Sequence, residues 1–118
     1  MGITDDATVT VDPGDPILTF SQQPTDAGSG ATITPAVTVT VQDSFGNPIS
    51  ATVHLDLNVP TLADGALGGT ADVATVGGVA TFSDLTVTQT VNLLGLPYSL
   101  EASATGAAPV TSADFNIN

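Results

Sequence analysis

The strongest constraint on this chain is a period of two. Val and Thr alternate through most of its 118 residues, as in Val37-Thr38-Val39-Thr40-Val41 and Thr52-Val53-His54-Leu55-Asp56-Leu57. Residues two apart share one face of a pleated strand, whereas a helix face needs a spacing near 3.6. The stiff χ1 of β-branched side chains also suits a pleated surface. No segment sustains a helical period, so the expected class is all-β.

This rhythm predicts strands at about 7–12, 17–23, 36–42, 52–58, 70–76, 79–87, 98–104 and 112–117. Val37, Val39 and Val41 point one way and Thr38, Thr40 and Gln42 the other, which is a strand with one wet face. Asp43-Ser44-Phe45-Gly46-Asn47-Pro48 carries the punctuation of a chain reversal. Gly77-Gly78 between Val76 and Val79 reads as a two-residue hairpin turn with positive φ. The expected core is Leu18, Phe20, Val37, Val39, Val41, Val53, Leu55, Leu57, Phe82, Leu85, Val87, Tyr98, Leu100, Phe115 and Ile117. Seven short alternating strands with polar or Gly/Pro-rich connections, in about a hundred residues, describe a two-sheet β-sandwich, with the N-terminal strand as an eighth, surplus one.

That surplus strand, Thr8-Val9-Thr10-Val11-Asp12, matches the pattern of Asp114-Phe115-Asn116-Ile117-Asn118. A chain opening on what resembles the end of its own fold implies a slice of a tandem array, or a subunit that lends a strand to its neighbour. Residues 1–16 are then that strand and a linker stiffened by Pro13 and Pro16, and residues 17–118 are the domain.

Charge narrows the chemistry. Twelve acidic residues stand against no Lys, no Arg and one His, a formal charge of −12. Each carboxylate must be solvated, bonded to backbone N–H groups, or paired with a cation from outside. Nucleic acid as a partner is excluded, because nothing neutralises phosphate. Phosphate clamps, Schiff bases and lysine isopeptide links need side chains that are missing. No apolar run approaches the ~20 residues of a membrane span, and the start lacks a basic, apolar leader pattern. Either a leader was removed or Met1-Gly2 is foreign to an excised piece. Trypsin has no site, which suits an extracellular setting.

The residues resemble the bacterial immunoglobulin-like repeats of large surface proteins, the invasin/intimin-type and related adhesin modules. The resemblance rests on Phe20-Ser21-Gln22-Gln23-Pro24-Thr25-Asp26-Ala27-Gly28, on Ile33-Thr34-Pro35-Ala36-Val37-Thr38-Val39-Thr40-Val41-Gln42-Asp43 with Gly46-Asn47-Pro48-Ile49, on Gly78-Val79-Ala80-Thr81-Phe82-Ser83-Asp84-Leu85, and on Tyr98-Ser99-Leu100-Glu101-Ala102. It implies an all-β, seven-stranded immunoglobulin-like β-sandwich, here with an additional N-terminal strand, strung into stalks or repeats outside the cell, and no enzymatic activity. Residues 59–72 and 88–97 depart from the pattern, the second being unusually apolar in Val91-Asn92-Leu93-Leu94-Gly95-Leu96-Pro97.

Threading that topology places Asp12, Asp15, Asp43 and Asn47 at one pole and Asp26, Asp64 and Asn118 at the other. Head-to-tail stacking would bring oxygens of two modules together, and Ca²⁺ takes six to eight oxygen ligands. The competing role is that loop Asp and Asn close their own turns, and no EF-hand spacing is present. His54 is expected on the wet face beside Asp56. It lacks the further His or Cys that zinc needs and the nucleophile elbow of a Ser-His-Asp triad. Thr–Gln ester crosslinks have partners in Gln22, Gln23, Gln42 and Glu101, but no spacing selects a pair. Tyr98 is expected as a core aromatic or a tyrosine corner bonded to backbone. With 4% aromatics and no Trp, stacking platforms for sugars are missing.

The expected function is a structural repeat of a bacterial surface protein or adhesin whose partners are neighbouring copies, with Ca²⁺ at the junctions. The alternative is a filament subunit in which Thr8, Val9, Thr10 and Val11 complete a neighbour's sheet.

Overall fold

The computed structural model describes residues 15–118. Thr8, Val9, Thr10, Val11 and Asp12 lie outside the described residues. The described chain forms β1 (Ile17–Gln22), β2 (Val37–Gln42), β3 (Thr52–Asn58), β4 (Ala66–Gly68), β5 (Asp72–Ala74), β6 (Val79–Phe82), β7 (Thr86–Thr88), β8 (Ser99–Ser103) and β9 (Val110–Thr111). It is all-β, with no helix among the described residues and hence none long and apolar enough to cross a membrane.

Three antiparallel sheets result, ordered β1-β2-β6, β5-β3-β8-β9 and β4-β7. Alternation becomes burial directly: Val37, Val39 and Val41 of β2 are fully enclosed, as are Val53 and Leu55 of β3 and Leu100 and Ala102 of β8. Both larger sheets feed one apolar cluster, an arrangement compatible with a β-sandwich. Each enclosed Val or Leu contributes about 1.5–3 kcal/mol relative to its exposed state.

The register defines two ends. Ile17 pairs with Gln42 at one, where the reversal at 43–48 also sits. Asn58 pairs with Ser99 at the other, together with the loops 59–65 and 89–97. The reversal at Gly77-Gly78 closes as expected, with Val76 and Val79 exchanging hydrogen bonds of 2.8 and 3.1 Å. Both glycines have positive φ, 60° and 82°, the geometry of a type I′ turn.

The structure revises three expected elements. The strand expected over 79–87 is two strands, β6 and β7, in different sheets. Ala80 and Phe82 face inward, and so do Leu85 and Val87; inward positions switch from even to odd, which a continuous strand cannot do. The strand expected over 112–117 does not form as a strand and leaves only isolated bridges at Phe115 and Ile117. Ser112 Oγ takes the Leu100 N–H at 2.9 Å, and the Ala113 N–H goes to Gln23 Oε1 at 2.8 Å. Backbone pairing resumes at Phe115 with Tyr98 and passes to Ala27 at Ile117. The strand expected over 70–76 shortens to β5, and β4 and β9 lie outside every expected strand. In the core, Phe20 and Leu57 are only half-buried, while Ile33, Ala80 and Ala102 join it.

Candidate functional site

At the first end, the turn after β2 is held by its own side chains. Asp43 Oδ1 accepts the N–H groups of Phe45 and Asn47, both at 2.9 Å, and Oδ2 accepts Asn47 Nδ2 at 3.1 Å. The Asn47 backbone N–H is the main cause of an Asp43 carboxyl held below its usual pKa, followed against it by desolvation. Asp15 lines a hollow of about 380 Å³ here with Pro16, Ile17, Leu18, Ser44, Gly106, Ala108 and Val110. The structure thus brings Asp15 to the same end as Asp43 and Asn47, with Asp12 outside the described residues.

The described residues of a single module do not by themselves form a calcium site. Among the described residues no group of three His, Cys, Asp or Glu side chains is placed to hold a metal ion. Asp43 is engaged by its own turn, so a site at this end needs oxygens from outside the described part of a single module.

The second end is assembled by contacts distant in sequence. Asp64 Oδ1 accepts the N–H groups of Thr90 at 2.7 Å and Val91 at 3.0 Å, and Asp64 Oδ2 accepts the Thr90 hydroxyl. The Thr90 hydroxyl is the largest cause of a lowered Asp64 pKa. At the other end of the β4-β7 ladder, Asp84 does the same for Thr70, with 2.9 Å bonds from its N–H and its hydroxyl. Its pKa too is lowered, chiefly by the Thr70 backbone N–H. Each Asp precedes its strand by two residues and each Thr follows the partner strand by two, so reciprocal clamps fasten both ends of a ladder of three-residue strands. Gly69, at φ +91°, lies so close to Asp84 that a Cβ would stand 2.1 Å from the Asp84 carbonyl oxygen.

Beneath this end lies Tyr98, fully buried, its ring 6.3 Å from that of Phe115. Its hydroxyl is 2.5 Å from the Asp64 carbonyl oxygen and 2.7 Å from Gln89 Oε1. It is therefore the core aromatic of the two expected roles; its hydroxyl bonds backbone 34 residues upstream, too distant in sequence for the tyrosine corner, which closes on backbone a few residues before the ring. Burial raises its pKa, reinforced by the Asp64 charge.

Above Tyr98 the loops present leucines to water: Leu93 is 71% exposed, Leu62 57% and Leu94 56%, with Val59, Val91 and Leu96 less so. The display is rigidly built. Asn92 Nδ2 donates to the Leu96 carbonyl at 2.8 Å, its Oδ1 accepts the Leu96 N–H at 3.1 Å, and the Leu93 N–H reaches Leu62 O at 3.0 Å. Leu62 has φ +59°, a left-handed conformation costing a bulky residue about 1–3 kcal/mol. Asp26 and Asn118 also lie at this end: Asp26 Oδ1 accepts the Asn116 N–H, and the Asn118 N–H bonds Ala27 O.

His54 stands between the ends on the outer face of β3. Its Nδ1 is 2.7 Å from Asp72 Oδ1 on β5 and its Nε2 is 3.0 Å from Asp56 Oδ1. The Asp72 bond, then the Asp56 bond, raise its pKa above the ordinary 6.5. Asp56 was expected as a neighbour. Asp72, directly across the ladder, was missed because only the register reveals it. With both ring nitrogens engaged by carboxylates, and no nucleophile among the described residues bonded to either, the trio works as a charge clamp between strands. The chain matches no family model, no curated protein and no solved structure.

Proposed function

We propose that the chain is a non-enzymatic, extracellular structural module of a surface protein, an immunoglobulin-like sandwich that stacks end to end with copies of itself. The observation that carries this reading is polarity: residues 15–17 sit by the 43–48 reversal, while Asn118 bonds Ala27 and Ser29 at the opposite end. Copies joined through the chain then follow one another along the strand axis. The sheet orders β1-β2-β6 and β5-β3-β8-β9 support the immunoglobulin-like assignment, as they correspond to A-B-E and C′-C-F-G in such sandwiches. A surface of carboxylates without Lys or Arg favours a secreted, repulsive stalk over adhesion to nucleic acid or anionic lipid.

Two copies fused in tandem test the reading by small-angle scattering. A rod twice the length of one copy is expected, and a freely jointed pair refutes it. Calcium at the junction is a separate part of the proposal. Its oxygens are Asp15, Asp43 and Asn47 of one module with Asp26, Asp64 or Asn118 of the next. The thermal midpoint of the tandem pair then rises with Ca²⁺, and an unchanged midpoint across millimolar Ca²⁺ removes the ion from the proposal.

A further inference from the structure

We infer that the leucine tip formed by Leu62, Leu93 and Leu94 docks into the apolar hollow at the opposite end of a second copy of this chain, lined by Pro16, Ile17, Leu18 and Val110. This rests on the end-to-end reading above and names the surfaces that meet.

Three observations carry it. The tip is preorganised, because Asn92 bonds the Leu96 backbone through both amide atoms and the Asp64 clamp fixes the loop's start. Holding the leucines in place before contact removes much of the ordering cost of binding. Second, the hollow of about 380 Å³ is walled mostly by apolar atoms, with Ile17 42% exposed on its wall and Phe45, 76% exposed, next in the chain to Ser44. A water-facing apolar hollow and water-facing leucines are complementary in kind.

Third, charge selects the occupant. Two copies at −12 each repel wherever carboxylates face each other. Gln89-Thr90-Val91-Asn92-Leu93-Leu94-Gly95-Leu96-Pro97 contains no charged residue, the nearby Asp64 carboxylate being occupied by the Thr90 and Val91 donors, and Asp15 is the only carboxylate among the described residues that line the hollow. These are surfaces on which like-charged copies can approach. Since tip and hollow lie at opposite ends, the contact is heterologous and propagates without closing. The tip is small beside the ~800 Å² per partner of a stable interface. The contact is accordingly weak between free copies and effective at the millimolar concentrations that a short linker imposes.

Sedimentation velocity up to about 1 mM tests this with the wild-type chain, the Leu93→Asp/Leu94→Asp variant and the Ile17→Asp variant, each first shown by circular dichroism to keep its β signature. Wild type is expected to grow in mass with concentration, and each variant to stay monomeric. A mixture of the two variants is expected to form a dimer and nothing larger, because the Ile17→Asp chain keeps an intact tip and the leucine variant an intact hollow. A monomeric wild type, a variant that still elongates, or a mixture that stays monomeric overturns the docking. Leucine-dependent binding of wild type to phosphatidylcholine vesicles, with no dimer in the mixture, also overturns it and reassigns the tip to a lipid surface. If docking fails while the fused tandem pair remains a rod, the module reading stands without it. If the pair is freely jointed, that reading is what falls.

Discussion

Asp43 and Asp64 sit at opposite ends of the molecule and use the same chemistry to different effect. Each carboxylate accepts two backbone N–H groups and one side-chain donor. The bonds of Asp43 reach Phe45 and Asn47, two and four residues on, whereas those of Asp64 reach Thr90 and Val91, 26 and 27 residues on. A local bond orders a turn whose ends are already close. A distant bond joins segments that the unfolded chain keeps apart, so its loss releases a whole loop. One end is thus closed by its own sequence, and the other only by the folded state.

The largest test of this contrast is Tyr98→Ala, which removes the buried ring under the distant-bonded end. It is expected to cost about 3–5 kcal/mol in urea unfolding, and a cost under about 1 kcal/mol would show that this end stands without its anchor. Gly69→Ala comes next. Its Cβ cannot coexist with the Asp84 carbonyl at 2.1 Å, and with positive φ the expected loss is about 1–3 kcal/mol. A neutral result would mean that the β4-β7 clamp yields freely.

Acid weakens both carboxylates alike, and their amide variants separate them. Asp43, Asp64 and Asp84 all have folded pKa values below their ordinary 3.8. The folded chain therefore binds fewer protons than the unfolded one, and this stabilisation is complete above the unfolded pKa and fades as pH falls through the folded values. Asp64→Asn is expected to lower the thermal midpoint at neutral pH more than Asp43→Asn does. Equal shifts would erase the distinction between local and distant closure.

His54 acts in the opposite window. Its pKa is raised above 6.5 by Asp72 and Asp56, so the clamp's stabilisation is full below the unfolded value and lost as pH rises through the folded one. The expected effect is small, as the side chain is 43% exposed. His54→Gln should flatten the decline in thermal midpoint between about pH 6 and 8, and a decline identical to wild type would dismiss the clamp.

How far each feature could be read in advance follows the same division. The segments 17–22, 37–42 and 52–58 were legible because alternation is a local property, and so was the type I′ turn at Gly77-Gly78. The switch of inward positions between Phe82 and Leu85 was present in the sequence as a clash of register within one expected strand, yet it signifies a break only once both residues are known to be buried. Ser112 gave no such sign. Its hydroxyl interrupts the ladder by taking the Leu100 N–H, a partner 12 residues away. Asp72 as the second clamp on His54, and Thr70 and Thr90 as the donors to Asp84 and Asp64, required cross-strand register.

Taken alone, the order of residues settled that the chain is extended rather than helical, which faces are apolar, and that carboxylates beyond the reach of His54 must find an uncharged donor, an outside cation or water. These depend on side-chain type and on spacings of two to four residues. The folded arrangement decided which strands share a sheet, which carboxylate fastens which loop, and that the apolar stretch 91–97 is displayed to water instead of being buried. Those outcomes depend on where the enclosed volume runs out: once Tyr98, Phe115 and Ile33 fill the core beneath it, Leu93 and Leu94 remain outside, and no local pattern encodes how much interior is left.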